Sequence, residues 1–353
     1  QNLRQGHWSL EGANLDSFGD QTKFVGYLTG ILYTVVGPTY MGGFLAFSWV
    51  CWFGLVLFFQ AFRITYPDAR PYLAAVLLFF LPSMLFWPSS MGKDAPMVFA
   101  LGLLTYGIAR LVKGEKRLLG VAAVLGGTYL IMSIRPHVLL VALVGLAASM
   151  VARNASGTKT TSAVVSRVVI LVLLVPLLIV GVGRMDEVFG DGGSVNVSQT
   201  LSKTSEQTSI GGSSFETQPV SNPLDFPVAI ISVVYRPFIF EASGSALISA
   251  AEGSLLLFLT VISASWLWRM FPAMYRNQFT AFCGAYVLAF VFAFSNIGNA
   301  GILARQRVQM FPFVMLLVLA AREHYRVHVE LAAPENPAPE PSTASPSGEL
   351  APV

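Results

Sequence analysis

Long apolar runs alternate with short polar segments along most of the chain. Nine such runs are present: 41–62, 72–87, 95–112, 118–134, 136–152, 164–183, 253–271, 279–296 and 309–321. A bilayer core takes about 20 apolar residues of helix, and backbone groups in lipid must be satisfied within the segment itself. The pattern therefore predicts an all-α polytopic transmembrane bundle of about nine spans. The runs 72–87 and 309–321 are short, and one of them is a candidate re-entrant segment.

The segments between these runs predict further elements. Residues 24–36 are apolar but too short to span, and we expect a helix lying at the outer membrane interface. Residues 227–241 predict a second interfacial or re-entrant element. Residues 184–222 are rich in Ser, Thr, Gly and Gln and predict a flexible extracytoplasmic loop. The tail from Pro334 onward is Pro-rich and is predicted to be disordered.

The chain accordingly divides into five parts. These are an extracytoplasmic segment with an interfacial helix (1–40), transmembrane helices one to six (41–183), an extracytoplasmic loop with an interfacial or re-entrant element (184–252), transmembrane helices seven to nine (253–321) and a cytoplasmic Pro-rich tail (322–353). The polar start of the chain has no initiating Met, which leads us to expect an upstream segment such as a first membrane helix.

Basic residues set the predicted orientation, because they favour cytoplasmic loops. The strongest signal is the loop with Arg110, Lys113, Lys116 and Arg117. Alternation from that loop also places the basic loops at 63–70, 153–167 and 269–276 inside, together with the C-terminus. We therefore expect a multi-pass protein of the cell membrane with a cytoplasmic C-terminus.

Composition excludes several classes of protein. Of 353 residues, 54% are hydrophobic and 12% charged, against about 25% charged in soluble domains, and the mean hydropathy is +0.63. Such a chain is neither a soluble enzyme nor a disordered protein. Its net charge of +3 gives no reason to expect nucleic acid as a partner. Its two cysteines lie in apolar runs and predict neither a disulfide framework nor a metal site.

Two predicted outer turns carry charges at the ends of apolar runs. Asp94 either caps the following helix while Lys93 extends to the headgroups, or the two charges lie at the mouth of a polar cavity. Arg135 and His137 flank Pro136 in a turn with no other polar residue nearby. They are either a simple turn or a phosphate-binding Arg with an assisting His.

Further outer charges lie nearer the C-terminus. Arg236 and Glu241 are predicted either to pair with each other or to face a substrate, and Glu252 either begins the next helix or joins the outer acids. Arg305 and Arg307 lie on the outer side, against the usual bias of basic residues. We favour anion binding for this arginine pair, since Arg clusters recognise phosphate.

Acidic side chains near the outer interface are candidates for a general base. Asp16 and Asp20 precede the predicted interfacial helix, and Asp94 follows the second run. A carboxylate in a desolvated position takes up protons more readily, as general-base chemistry requires. The sequence does not choose among the three, and solvated loop acids remain the alternative for Asp16 and Asp20.

Acids and arginines at one membrane face suit a lipid-linked phosphate. The arginines would hold the phosphate as a leaving group, a carboxylate would take the proton of an incoming hydroxyl, and the spans would hold the lipid tail. The expected partners are the bilayer, a polyprenyl-phosphate-linked sugar and a glycan acceptor. No metal-ligand motif is present, although carboxylates beside a diphosphate leave a divalent metal open as cofactor.

Four stretches of sequence carry a resemblance: PSMLFWPSSMGKD, the RPH turn, YRPFIFEA and ARQRVQMFPF. They resemble blocks in bacterial, especially actinobacterial, multi-pass proteins of cell-envelope polysaccharide assembly. More distantly, the layout is similar to that of GT-C glycosyltransferases, which use lipid-phosphate sugar donors. That resemblance implies that Asp16 or Asp20 corresponds to the acid in the first outer loop of that class.

The sequence thus predicts an integral membrane glycosyltransferase acting on the extracytoplasmic face. A polysaccharide polymerase or ligase would use the same lipid and the same arginines, and the long 184–252 segment would suit it. A transporter of lipid-linked glycans would carry polar groups at mid-membrane on broken helices. A non-catalytic scaffold is the remaining alternative.

Overall fold

A computed structural model describes residues 20–155, 222–242, 244, 246–274 and 277–332, with positions 215, 217, 219 and 220. Asp16, the side chain of Asp20, the predicted span 164–183, most of the predicted loop and the tail from Pro334 lie outside the described residues.

The described residues form twelve α-helices and three short 3₁₀ turns, with no β-strand among them. The helices are α1 (Asp20–Val36), α2 (Tyr40–Thr65), α3 (Pro71–Phe79), α4 (Pro82–Phe86), α5 (Asp94–Lys113), α6 (Arg117–Ile134), α7 (Pro136–Ala155), α8 (Phe226–Tyr235), α9 (Ala246–Met274), α10 (Gln278–Phe294), α11 (Ala300–Gln306) and α12 (Phe311–Ala332). The 3₁₀ turns are Trp87–Ser89, Pro223–Asp225 and Arg307–Gln309. The all-α prediction is confirmed for this part of the chain.

Several helices are long and apolar enough to cross a membrane. Four single helices meet this requirement of length and hydropathy, namely α2, α5, α6 and α9. The number rises to as many as six if each bent helix pair counts as one span. The helices α1, α7, α8 and α10 are apolar but shorter. The described residues therefore have the character of a membrane protein with four to six candidate spans, and the prediction of about nine is not confirmed.

Two predicted spans are broken. Run 72–87 is divided into α3 and the α4 segment, which are bent by 61°. The break lies at Leu81, which is extended because Pro82 follows it. The predicted span 309–321 is the first half of α12, which continues to Ala332 and is bent by 55° from α11. In the predicted element 227–241, only the part up to Tyr235 is helical.

Glycines bring α2, α5 and α6 into close contact. A Cβ on Gly54 of α2 would lie 2.6 Å from the Cα of Phe99 in α5, and one on Gly102 would collide with the carbonyl of Gly54. A Cβ on Gly127 of α6 would lie 2.7 Å from the backbone nitrogen of Leu104. Small residues at these positions let the backbones approach, which is how membrane helices commonly associate.

This packing places charged termini at the two ends of the bundle. Helices α5 and α6 are antiparallel and joined by a tight turn with Gly114 in the left-handed region at φ 75°. The start of α5 and the end of α6 therefore lie together, and Asp94 and Arg135 with them. At the opposite end, Lys113 lines a polar cleft with Asp68 and Arg326.

Candidate anion-binding site

The carboxylate of Asp94 lies between two arginines at one end of the bundle. It is fully buried. Its Oδ1 accepts from Nη2 of Arg135 at 2.8 Å, and its Oδ2 accepts from Nε of Arg305 at 2.5 Å. Both contacts are ion pairs with charge-assisted hydrogen bonds, the strong class of hydrogen bond. The structure thus brings together three side chains that the sequence placed at three separate outer turns.

Local sequence explains how each arginine reaches this carboxylate. Arg135 ends α6 because Pro136 follows it, and a residue before proline avoids the helical region. Arg305 lies in the last turn of α11, a short helix whose start is capped by Asn299. The side-chain oxygen of Asn299 accepts from two backbone N–H groups of that helix. Each arginine is therefore carried on a well-defined helix end.

Two glutamines that the sequence analysis missed extend the network. Gln306 accepts from Nη1 of Arg135 at 2.7 Å and from Nε2 of Gln309 at 2.6 Å. The Oε1 of Gln309 is buried without a hydrogen-bond partner among the described residues. Their signal in the sequence was the run ARQRVQ, in which four of six residues are polar directly before an apolar helix.

The charges of the site do not balance. Among the residues that the structure describes, Lys93, Arg135 and Arg305 are three cations around one carboxylate, that of Asp94, which leaves a surplus of two positive charges within this set. Burial and the nearby Arg135 and Arg305 lower the pKa of Lys93. The side chain of Arg305 is 42% exposed, and Lys93 is also partly exposed, so a ligand can reach both. A nearby Gly92 keeps the approach clear, since a Cβ there would lie 3.0 Å from Nη2 of Arg305. The arrangement is suited to bind an anion.

Asp94 has a different environment from that of a general base. It lies in the first turn of α5, with Lys93 at the cap position making no side-chain cap hydrogen bond. Both oxygens accept from guanidinium groups and neither is exposed. Each oxygen is engaged by a guanidinium group, so the carboxylate has no oxygen directed at open space where a substrate hydroxyl could bind. The geometry therefore favours a positioning role for Asp94, in which its carboxylate orients Arg135 and Arg305.

His137 follows the turn in the first turn of α7. Its ring lies 6.0 Å from the ring of Phe294, centroid to centroid, and the side chain is partly buried. The structure therefore places His137 against Phe294, with Arg135 and Lys93 within electrostatic reach. Its predicted assistance to phosphate binding stays a prediction.

Arg307 does not join Arg305. Its side chain is 1% exposed, and its Nη1 donates to the carbonyls of Val234 at 2.9 Å and Arg236 at 2.5 Å. Its guanidinium also lies 5.5 Å from the ring of Phe311. Arg307 thus fastens the end of α8 to the α11–α12 bend, which is a structural position.

Arg236 and Glu241 pair with each other, as one of the two interpretations predicted. Nη2 of Arg236 lies 2.8 Å from Oε1 of Glu241, and the backbone N–H of Phe238 donates to Oε2 at 3.1 Å. Arg236 also lies over the ring of Phe215 at 4.9 Å. This pair closes the turn after α8 and is separate from the Asp94 cluster.

Glu252 is another buried acid. It lies in the second turn of α9, is 4% exposed, and accepts from the backbone N–H of Ser83 at 3.0 Å and from its hydroxyl. The position of Glu252 near the start of a helix agrees with the sequence pattern, whereas its contact with Ser83 was not predicted. Their separation of 169 residues leaves no local signal for the pairing.

No group of three or more His, Cys, Asp or Glu side chains that could hold a metal is present among the residues that the structure describes. A divalent metal stays an open prediction, since Asp16 lies outside them. Comparisons of the chain with protein-family models, with curated proteins and with solved structures find no match.

Proposed function

We propose that this chain is an integral membrane glycosyltransferase that takes its sugar from a polyprenyl-phosphate-linked donor on the extracytoplasmic face. The observation that carries the proposal is the surplus of positive charge around Asp94. Charges placed among apolar helices are costly and are kept where they pair or serve a ligand. Asp94 pairs with part of the charge, and a phosphate would balance the rest.

The residues then have distinct roles. Arg305 and Lys93 bind the phosphate of the donor and stabilise the negative charge that develops on it as the glycosidic bond breaks. Arg135 and Asp94 hold Arg305 in place. The general base is assigned to Asp16 or Asp20, as the resemblance to GT-C enzymes implies. The apolar helices supply the surface for the polyprenyl chain.

The proposal is tested with the full chain in lipid nanodiscs. Binding of decaprenyl phosphate is measured by native mass spectrometry, with decaprenol as the uncharged control lipid. Release of decaprenyl phosphate from a panel of decaprenyl-phosphate sugars is then followed in the presence of membrane glycolipids. We expect the double variant Lys93→Ala/Arg305→Ala to lose both binding and release. Equal binding of decaprenol and decaprenyl phosphate by the wild type would refute the proposal.

A specific feature favours a second candidate, transport of the same lipid phosphate. The two bent helix pairs, 71–89 and 300–327, are either broken spans or re-entrant loops, and transporters use broken spans near their substrate. Movement of a fluorescent decaprenyl phosphate between leaflets of a proteoliposome, with no sugar released, would favour transport over transfer. Sugar release without movement between leaflets would exclude it.

A further inference from the structure

A cleft of about 540 Å³ lies between α4, α9 and α11. Its walls are mostly apolar and include Phe86, Trp87 and Ala304. Glu252 is the charged residue among those that line it in the described part of the chain. A buried carboxylate in the wall of a cleft between apolar helices is expensive, so its presence indicates a function.

Glu252 is held in one orientation and keeps capacity for a ligand. Ser83, at the start of α4, donates to it from both its backbone N–H and its hydroxyl. A carboxylate has about four lone-pair positions, so further donors can be accepted on the side that faces the cleft. The cleft wall therefore offers an oriented hydrogen-bond acceptor.

The surroundings of Glu252 favour a neutral donor over a cation. The buried guanidinium of Arg307 lies within electrostatic reach of the Glu252 carboxylate. Ala304 lines the cleft and the next residue, Arg305, contacts Asp94, so the excess of cations adjoins this cleft. A cationic ligand would be repelled, whereas a hydroxyl group would not.

The remaining walls suit a carbohydrate. The rings of Phe86 and Trp87 lie edge to face at 5.1 Å and present apolar surface for the C–H faces of a sugar. The hydroxyl of Ser249 adds a second polar contact point. Aromatic rings beside an oriented carboxylate give both kinds of contact that a sugar ring needs.

We infer that the cleft around Glu252 binds the hydroxyl-bearing sugar acceptor of the reaction. This inference rests on the proposed function, because it assigns the second substrate to a site next to that of the donor phosphate. Helix α11 joins the two sites, since Gly301 and Ala304 line the acceptor cleft and Arg305 belongs to the anion site. Glu252 binds and orients a hydroxyl group there.

The test uses the full chain in nanodiscs and two photoreactive probes with the same alkyl chain. One is octyl β-glucoside and the other octyltrimethylammonium, each with a diazirine in the chain, and labelled peptides are mapped by mass spectrometry. We expect the glucoside to label the peptides that contain Trp87 and Ser249. Glu252→Gln should reduce that labelling about tenfold, since it removes a charged acceptor. Glu115→Gln, at an exposed acid outside the cleft, is the matched control and should label like the wild type.

A second variant protects the test against a folding defect. Gly301→Leu adds bulk to the cleft wall and leaves Glu252 itself unchanged, and we expect it to reduce glucoside labelling as well. Stronger labelling by the ammonium probe, or unchanged glucoside labelling in both variants, would overturn the inference. Binding of decaprenyl phosphate, measured in parallel, should persist in Glu252→Gln. If the glucoside does not label the cleft but decaprenyl phosphate still binds in a way that depends on Arg305, the acceptor site alone is refuted. If the glucoside labels the cleft but decaprenyl phosphate does not bind, the proposed function is refuted and a sugar-binding cleft is supported.

Discussion

Asp94 and Arg135 form an ion pair at 2.8 Å in which the arginine side chain is 6% exposed and the carboxylate is fully buried. The two residues come from the start of α5 and the end of α6, which glycine contacts hold together. Arg305 binds the same carboxylate but keeps 42% of its side chain exposed. The two arginines on one acid therefore differ in role: Arg135 belongs to the fold, and Arg305 is available to a ligand.

Asp94→Asn should destabilise the protein. The substitution leaves the buried guanidinium of Arg135 without its countercharge, a change that costs about 3–5 kcal/mol in buried pairs. The measurement is the free energy of unfolding in mixed micelles. The double variant Asp94→Leu/Arg135→Met removes both charges and should recover most of the loss. A wild-type stability for Asp94→Asn would contradict the structural role of the pair.

Arg305→Ala and Arg307→Ala should give opposite phenotypes. Arg305→Ala should abolish binding of decaprenyl phosphate with little change in thermal stability, because its side chain is partly exposed. Arg307→Ala leaves the buried carbonyl of Val234 and the partly buried carbonyl of Arg236 without this donor, at up to about 1–3 kcal/mol for each group. Binding and melting temperature are measured on both variants. A binding defect in a fully stable Arg307→Ala would show that Arg307 contacts the ligand.

Neighbouring glycines on α6 provide a matched test of helix packing. A Cβ on Gly127 would lie 2.8 Å from the carbonyl oxygen of Ala100, whereas one on Gly126 would lie 3.4 Å from a methyl group of Leu103. Gly127→Ala should therefore cost about 1–3 kcal/mol of unfolding free energy, as overpacking does. Gly126→Ala should not lower it. Equal stability of the two variants would mean that α5 and α6 are not in close contact.

The pattern of apolar runs predicted the positions of most described helices. The sequence predicted the arrangement of the charged residues only in part. Helices α5 and α6 begin and end within a residue of the runs 95–112 and 118–134, because their boundaries are marked by charged residues and by Pro136. Chain breaks inside apolar runs were harder to predict. The break at Leu81 follows from one proline, and composition alone does not show whether a proline bends a helix or interrupts it.

The arginine pair shows why adjacency in sequence misleads. Arg305 and Arg307 are two positions apart, which is about 200° around a helix, so they face opposite sides of it. Arg307 also begins a 3₁₀ turn, whereas Arg305 belongs to α11, so the two side chains point in different directions. Contacts such as those of Asp94 with Arg305, 211 residues apart, depend on tertiary packing. The sequence placed Asp94 and Arg305 on the same predicted face of the membrane, but it did not show that their side chains are in contact.

Anion binding should weaken as the pH rises through an alkaline range. Burial, with Arg135 and Arg305 nearby, lowers the pKa of Lys93 from 10.5, so its ammonium loses the proton at a lower pH than usual. Only the ammonium attracts a phosphate, and a bound anion should in turn raise the pKa of Lys93. Binding of decaprenyl phosphate should therefore take up protons in this range. Calorimetry in buffers of different ionisation enthalpy measures that uptake.

Lys93→Arg is the control for this pH dependence, because a guanidinium stays charged over the same range. The variant should bind decaprenyl phosphate with a flat pH profile and without proton uptake. The ion pairs of Asp94 with Arg135 and Arg305 are present in both proteins. A pH profile in Lys93→Arg equal to that of the wild type would assign the titration to another group.

Cysteine labelling tests the predicted sidedness. Cys51 and Cys283 are both buried, so the wild type should give little background with a membrane-impermeant maleimide. Ser90→Cys, in the turn before Lys93, should label from outside intact cells, because the anion site is proposed to face the extracytoplasmic side. Glu115→Cys, at a side chain that is 62% exposed, should label only after permeabilisation. Labelling of position 115 in intact cells would invert the topology and place the cationic site on the cytoplasmic face, where an extracytoplasmic sugar donor could not reach it.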